Sequence, residues 1–380
     1  MEFLTISSTP VQEETPAHML KPSEKETKAR EEKQLENWKE RLQANLTRMD
    51  LKTEFKQKNT KEDEDKFRKF AVSVANKTYL GFVLELNEAV KGKTTTSKQV
   101  TSKATQAFVA LLDSIEAFVD STPPLETPSR FGNPAFRTFL SKTTEAAPSL
   151  VSQFILAASP TDSSLTPASE SQRAELCNYL QNAFGNALRI DYGSGHEMNF
   201  ACLLYCLKSL GLFSKEDYPA LVLTVFVRYL QLVRRLQKTY WLEPAGSRGV
   251  WGLDDFQFLP FLWGAAQFDG HKYLKPKCVL DADVVDCFSK DYVYLDCIKF
   301  INQVVKVCSF AEHSPMLYDI TIVKLWSKVN SGMIKMYKAE VLGKFAVVQH
   351  FIYSSFLLSD TDEAALKERE RKTGCCGSRG

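Results

Sequence analysis

Three short stretches of this 380-residue chain gather residue types that can do chemistry. The first runs Arg189-Ile190-Asp191-Tyr192-Gly193-Ser194-Gly195-His196-Glu197, just after Gly185-Asn186. Two glycines flank one small hydroxyl residue, a pattern that exposes several backbone N–H groups and suits an anion or a tightly held peptide. Arg189 adds a planar cation able to fork onto phosphate or carboxylate. The same residues also read as a helix stop followed by the cap of the next helix. The loop alone leaves both readings open.

The second stretch, Glu243 to Asp255, holds Gly246, Gly249, Gly252, Trp251, Arg248, Asp254 and Asp255. The two carboxylates precede the apolar run Phe256 to Trp263. One of them is expected to cap a helix there, which leaves the other for a divalent cation, a hard ion that prefers carboxylate oxygen. Trp251 can line a groove for a proline or an adenine ring, or pack in the core. The third stretch is Lys344-Phe345 with Gln349-His350-Phe351, closing the last strong helical pattern.

Other tempting motifs fail on spacing. Gly92-Lys93-Thr94 has Asn87 where a phosphate loop needs its first glycine. His196-Glu197 lacks the second histidine of a zinc protease, because Phe200 stands there. The five histidines show no pair at metal spacing.

The elements that must position these loops read as helices. Phe67, Phe70, Val74, Leu80, Val83 and Leu86 recur at helical spacing, as do Val100, Ala104, Phe108, Leu111, Leu112, Ile115 and Val119. Ser121-Thr122-Pro123-Pro124 stops the second run. Further helical patterns cover about 133–157, 169–184, 197–212, 217–240, 255–266, 282–288, 291–308, 318–329 and 331–345. No run of alternating short strands is present. The reading is therefore all-α, with a helical domain over 61–358. Residues 1–60 form a charged, partly ordered extension in which Leu35, Trp38, Leu42 and Leu46 make a rough stripe. Residues 159–169 read as a surface loop and 359–380 as a disordered tail.

Composition narrows the classes. The 48 basic and 46 acidic residues nearly cancel, to a net charge of +2, so no general electrostatic case exists for nucleic acid or an acidic membrane. Nine cysteines lack disulfide-framework spacing, which fits the reducing cytosol or nucleus. The longest apolar stretch, near Ala220 to Leu232, contains Arg228 and is too short to span a bilayer.

Taken together, the loops resemble the phosphotyrosyl phosphatase activator family, also called the protein phosphatase 2A activator. The likeness runs from about Tyr79 to His350. Its motifs include Leu86 to Lys93, Arg130 to Arg137, Phe184-Gly185-Asn186, Arg189 to Glu197, Leu242 to Leu262, Glu312-His313-Ser314, Lys328-Val329-Asn330, Lys335-Met336-Tyr337 and Val348 to Phe351. Ser194 stands where that family usually has Thr, Arg248 where it has His or Gln, and Ala346 where it has Pro.

The resemblance implies a multi-helix domain with core, lid and linker regions around a deep groove. It implies binding to the catalytic subunit of protein phosphatase 2A, peptidyl-prolyl cis–trans isomerase activity, and use of ATP with Mg²⁺. By that analogy Arg189, Ser194, Gly195, Gln349, His350 and Phe351 contact ATP, and Gly249 and Asp255 lie at the magnesium position. Isomerisation needs no nucleophile. Peptide rotation has a barrier of about 18–20 kcal/mol, and the two X–Pro isomers differ by only about 0.5–1 kcal/mol. A groove that strips water and holds a twisted imide can speed the exchange, and Asp191, Tyr192, Trp251 and Asp255 are the residues expected to shape it. The alternative is a non-enzymatic chaperone that stabilises apo-phosphatase for metal loading.

Overall fold

A computed structural model describes residues 74–126, 131–159, 168–246, 249, 252–305, 308–348 and 355–357. All of them belong to the unit Asn59–Gly380. The expected extension over 1–60 and tail over 359–380 lie outside the described residues, as do Arg248, Trp251, Gln349, His350 and Phe351.

The described chain is helical almost throughout. The helices are α1 (Val74–Ala89), α2 (Lys103–Asp120), α3 (Ala135–Ala158), α4 (Glu170–Asn182), α5 (Ser194–Ser209), α6 (Val227–Tyr240), α7 (Leu259–Gln267), α8 (Ala282–Phe288), α9 (Val293–Val304), α10 (Phe310–His313), α11 (Pro315–Ile320), α12 (Trp326–Tyr337) and α13 (Phe345–Val348). One apolar cluster runs through them from Tyr79 to Leu357.

Local chemistry accounts for the boundaries. In α2, Ala104, Phe108, Leu111, Leu112, Ile115 and Val119 are buried, and the Ser102 side chain accepts from Thr105 N–H as the cap. Val100, placed by its spacing in the same apolar stripe, lies before that cap and is 69% exposed. Ser169 and Gln172 cap α4 reciprocally. Cys177, Cys202, Cys206 and Cys297 are buried as small hydrophobes, whereas Cys287 is exposed.

The sequence patterns at 318–329 and 331–345 place a break at residue 330. The break lies instead between Ile320 and Trp326, and α12 continues as a π turn to Leu342. Asn330 is no turn residue. Its amide exchanges hydrogen bonds with buried Asn87 (3.0 and 2.8 Å) and donates to Leu262 O (2.8 Å). A buried amide with its partners supplied supports a helix interior as well as an apolar residue does.

Two elements position the loops. Helix α7 is buried on every face, so it packs against α1, α9 and α12 at once. A Cβ on its Gly264 would fall 2.5 Å from Tyr294 N, so glycine there sets the approach of α9. Helix α6 is tied to α2 by Arg228 with Asp113 and Glu116, and by Arg235 with Glu116 and Asp120. Another face of α6 carries Arg234 and Gln237, one turn apart.

Candidate functional site

The first two Gly-rich loops are joined by a sheet of two residues per strand. β1 (Asp191–Tyr192) pairs in parallel with β2 (Glu243–Pro244), Asp191 opposite Glu243 and Tyr192 opposite Pro244. Two residues are too few for an alternation signal, which is why the sequence showed no strand here. Ile190 (φ 52°) and Trp241 (φ 51°) precede the two strands in the left-handed region, unusual for any non-glycine residue and most of all for a β-branched one. A Cβ on Gly132 would lie 2.4 Å from Ile190 Cγ2, so the glycine makes room for that bend.

The Gly-Ser-Gly motif is both a helix start and a packing surface. Gly193 is the N-cap of α5 and has no side chain to cap it, so the first N–H groups at Ser194 and Gly195 carry the positive end of the helix. Added Cβ atoms would meet Ala245 O at 2.9 Å from Gly193 and Val347 O at 3.1 Å from Gly195. The glycines thus admit β2 on one side and α13 on the other. Helix α13 therefore reaches the start of α5 through the backbone of Val347.

The polar groups around this corner are paired with one another. Arg189 Nε lies 2.5 Å from Asp191 Oδ2. His196 Nε2 is 3.9 Å from Asp191 Oδ1, and His196 Nδ1 donates to Asn182 O at 2.7 Å, since a carbonyl can only accept. Burial pushes the Asp191 carboxyl upward, but His196 and Arg189 outweigh it and hold its pKa below the ordinary value. Tyr192 is fully buried; its hydroxyl bonds Tyr229 (2.8 Å), which donates to Ala183 O (2.6 Å). Tyr192 therefore cannot line a groove as expected. It braces the corner from inside, its ring stacked on His196.

The second carboxylate pair behaves differently from its expectation too. Asp254 Oδ2 accepts from the N–H of Phe256 and of Gln257, both at 3.0 Å, which closes a turn rather than capping α7. The cap of α7 comes from elsewhere: Glu197 Oε2 accepts from Phe258 N–H (2.9 Å) and Leu259 N–H (3.0 Å). Burial, against those two hydrogen bonds, raises the Glu197 pKa to about 8, and burial with the charge of Asp255 raises that of Asp254 to about 6. Asp255 is half-buried, its Oδ2 4.0 Å from His313 Nε2. Gly249 is exposed at φ 55°, and its carbonyl accepts from Gly252 N–H at 3.0 Å.

Asp254 and Asp255 also line a cavity of about 80 Å³. Its remaining wall comes from α6 (Arg234, Gln237), from Phe256, Gln257 and Phe261, from α9 (Cys297, Phe300, Ile301, Val304) with Val305, and from His313. Of the residues expected to shape a groove, Asp255 lines this cavity; Asp191 and Tyr192 do not. Sequence reasoning missed Glu197, Arg234, Gln237 and Gln257. One signal was available for Arg234, a charge set inside the apolar stripe of Leu230, Val233, Leu236 and Tyr240.

No cluster of three or more potential metal ligands occurs among the described residues. One half-buried carboxylate suits an ion carried in on phosphates, as magnesium usually is. The uncapped start of α5 offers backbone N–H groups to an anion.

The profile of the phosphotyrosyl phosphate activator (PTPA) protein family matches residues 56–359. The "Serine/threonine-protein phosphatase 2A activator 2" of Cryptococcus neoformans is 48% identical over 295 residues, 77% of this chain and 74% of that protein. The Schizosaccharomyces pombe protein of that name is 44% identical over 296 residues, 78% of this chain and 81% of its own length. The crystal structure of the PP2A phosphatase activator Ypa1 (PTPA1) superposes with a TM-score of 0.62 at 34% identity, covering 72% of this chain and 85% of that one. The chain belongs to the PTPA family.

Proposed function

We propose that this member of the PTPA family activates the catalytic subunit of protein phosphatase 2A, acting as an ATP- and Mg²⁺-dependent chaperone and peptidyl-prolyl cis–trans isomerase. The observation that carries the reading is the match across three quarters of the chain to relatives named as activators of that phosphatase. Arg189, Ser194 and Gly195 at the start of α5, with Gln349, His350 and Phe351, would hold ATP, while Gly249 and Asp255 would face its magnesium. Bound ATP with Mg²⁺ supplies phosphate charge that a partner can share. The chain's own residues present backbone N–H groups, a guanidinium and a carboxylate to it. The expected setting is the cytoplasm and nucleus.

The test mixes inactive phosphatase catalytic subunit with the full chain, with and without ATP and Mg²⁺. Activation that needs both, and that Asp255→Asn reduces strongly with a near-normal melting curve, is the expected result. No activation under any condition contradicts the reading.

A second reading, the non-enzymatic binding chaperone, is favoured by the burial of Tyr192 and the self-pairing of Asp191, which withdraw two expected isomerase residues. Such a binder would stabilise apo-phosphatase by mass action without accelerating isomerisation of a free proline peptide.

A further inference from the structure

A second cavity, of about 440 Å³, lies away from both loops. It sits where the chain leaves α7, between residues 268–275 and the start of α12. Asp255 stands before α7 and Phe268 just after it. The nine residues of that helix, about 14 Å in length, therefore separate this cavity from the expected magnesium position.

The cavity is built in advance of any ligand. Two of its lining residues, Phe268 and Trp326, are buried and stack at 4.4 Å. Trp326 Nε1 also donates to Leu274 O at 2.9 Å, which joins the segment after α7 to the start of α12. Ligand sites are usually pre-formed in this way.

Most polar side chains in the lining are donors. Lys272 and Lys275 are exposed, and among the described residues neither is in an ion pair. Lys275 Nζ donates to the backbone, at His271 O (3.1 Å). His271 Nδ1 accepts from Leu274 N–H (2.9 Å) and Tyr273 N–H (3.3 Å). Those two bonds leave the ring proton on Nε2, a donor. Burial, then the charge of Lys275, holds the His271 pKa below its ordinary value and keeps that neutral form. Lys277, Lys324 and Lys328, exposed in the same two segments, add positive charge. The one acidic side chain in the lining is Asp269, whose Oδ2 lies 4.0 Å from Lys91 Nζ.

This mixture selects among anions. A single small anion would meet only part of a donor set spread over two segments. The phosphate backbone of a nucleic acid or a lipid surface brings charge but no N–H, and Asp269 would repel it. A peptide carrying Asp or Glu brings carboxylates for the lysines, carbonyls for His271 and a backbone N–H for Asp269. Its apolar side chains would cover Leu325, which lines the cavity at 50% exposure.

We infer that this cavity is a docking site for an acidic peptide segment of a partner protein, held by Lys272 and Lys275 with Asp269 taking a backbone N–H. The inference is independent of the activator reading and adds a contact surface at the other end of α7.

The test uses the full chain and a fluorescein-labelled peptide of alternating aspartate and leucine, blocked at both ends and read by fluorescence anisotropy. A matched asparagine–leucine peptide is the control. The aspartate peptide should bind saturably, more weakly as salt is added, and the asparagine peptide should not bind. Lys272→Glu combined with Lys275→Glu should weaken binding about tenfold with an unchanged Tm, because both side chains are exposed. Lys215→Glu, at an exposed lysine elsewhere, should change it little. Wild-type affinity in the double variant overturns the inference. So does a wild-type chain that binds neither peptide, or both equally. Single-stranded RNA or anionic vesicles that bind through these lysines while the aspartate peptide does not would overturn it as well. If the double variant does not fold, Lys272→Glu alone decides: binding about threefold weaker supports the inference, and unchanged binding overturns it.

Discussion

The corner at the start of α5 is built from polar residues at loop ends, whereas the cavity beside α6 draws Arg234 and Gln237 from within a helix. At the corner several side chains pair with a neighbour, Arg189 with Asp191, His196 with Asn182 and Tyr192 with Tyr229, while Asp191 Oδ1 and Glu197 Oε1 are buried without a hydrogen bond. The glycines there admit other parts of the backbone. Beside the cavity, Arg234 Nε and Gln237 Nε2 are buried without a hydrogen-bond partner, although Asp254 and Asp255 line the same cavity. The corner is rich in residues that catch the eye in a sequence, and much of that richness holds two loops together. The cavity draws on helical residues that look ordinary until their neighbours are known.

The largest effect expected from breaking the contrast is at Glu197, which links the two regions by capping α7 from the first turn of α5. Glu197→Ala removes the acceptor of two buried N–H groups, a cost of about 2–5 kcal/mol, and Tm should fall by roughly 5–15 °C. Its charge adds a pH dependence. The folded pKa, about 8, lies above the ordinary carboxyl value of 4.5, so the folded protein holds this proton more tightly than the unfolded chain does. The contribution is complete below about pH 4.5 and is lost as pH rises to about 8, at no more than about 1.4 kcal/mol per pH unit. Asp254, raised to about 6, adds a smaller loss of the same sign that ends earlier. Glu197→Gln should flatten the fall of Tm between pH 5 and 8, read from melts across that range. A wild-type curve that rises through this window contradicts the assignment.

A smaller effect is expected at Gly193, where the corner is packed by backbone. Gly193→Val would press on Ala245 and separate β1 from β2, costing about 1–3 kcal/mol. An unchanged melt would mean that the short sheet is not what holds the loops together. The smallest is Tyr192→Phe. It removes one buried hydrogen bond, about 1 kcal/mol, and should leave isomerisation untouched. A large loss of isomerisation with a normal melt would return Tyr192 to the groove.

The helices were legible because an apolar stripe at helical spacing marks a buried face over many residues, as in α2. The two-residue sheet was not, because pairing across fifty residues leaves no local period. The capping of α7 was misassigned to the nearest carboxylates. A cap is expected from the residue just before a helix, and here the acceptor arrives from another helix more than sixty positions earlier in the chain. The break near Asn330 was misplaced for a related reason: a polar residue interrupts an apolar pattern, and the buried partner that Asn87 supplies lies far away in the chain. Burial of Tyr192 and the unpartnered state of Gln237 depend on three-dimensional neighbours, so neither could be read from residue type.

The central claim, activation of the phosphatase catalytic subunit, is tested most directly by adding the full chain to inactive catalytic subunit with ATP and Mg²⁺ and following phosphatase activity. Activity that rises with the amount of chain added is the predicted result. Activity that stays at its starting level at every ratio would contradict the account.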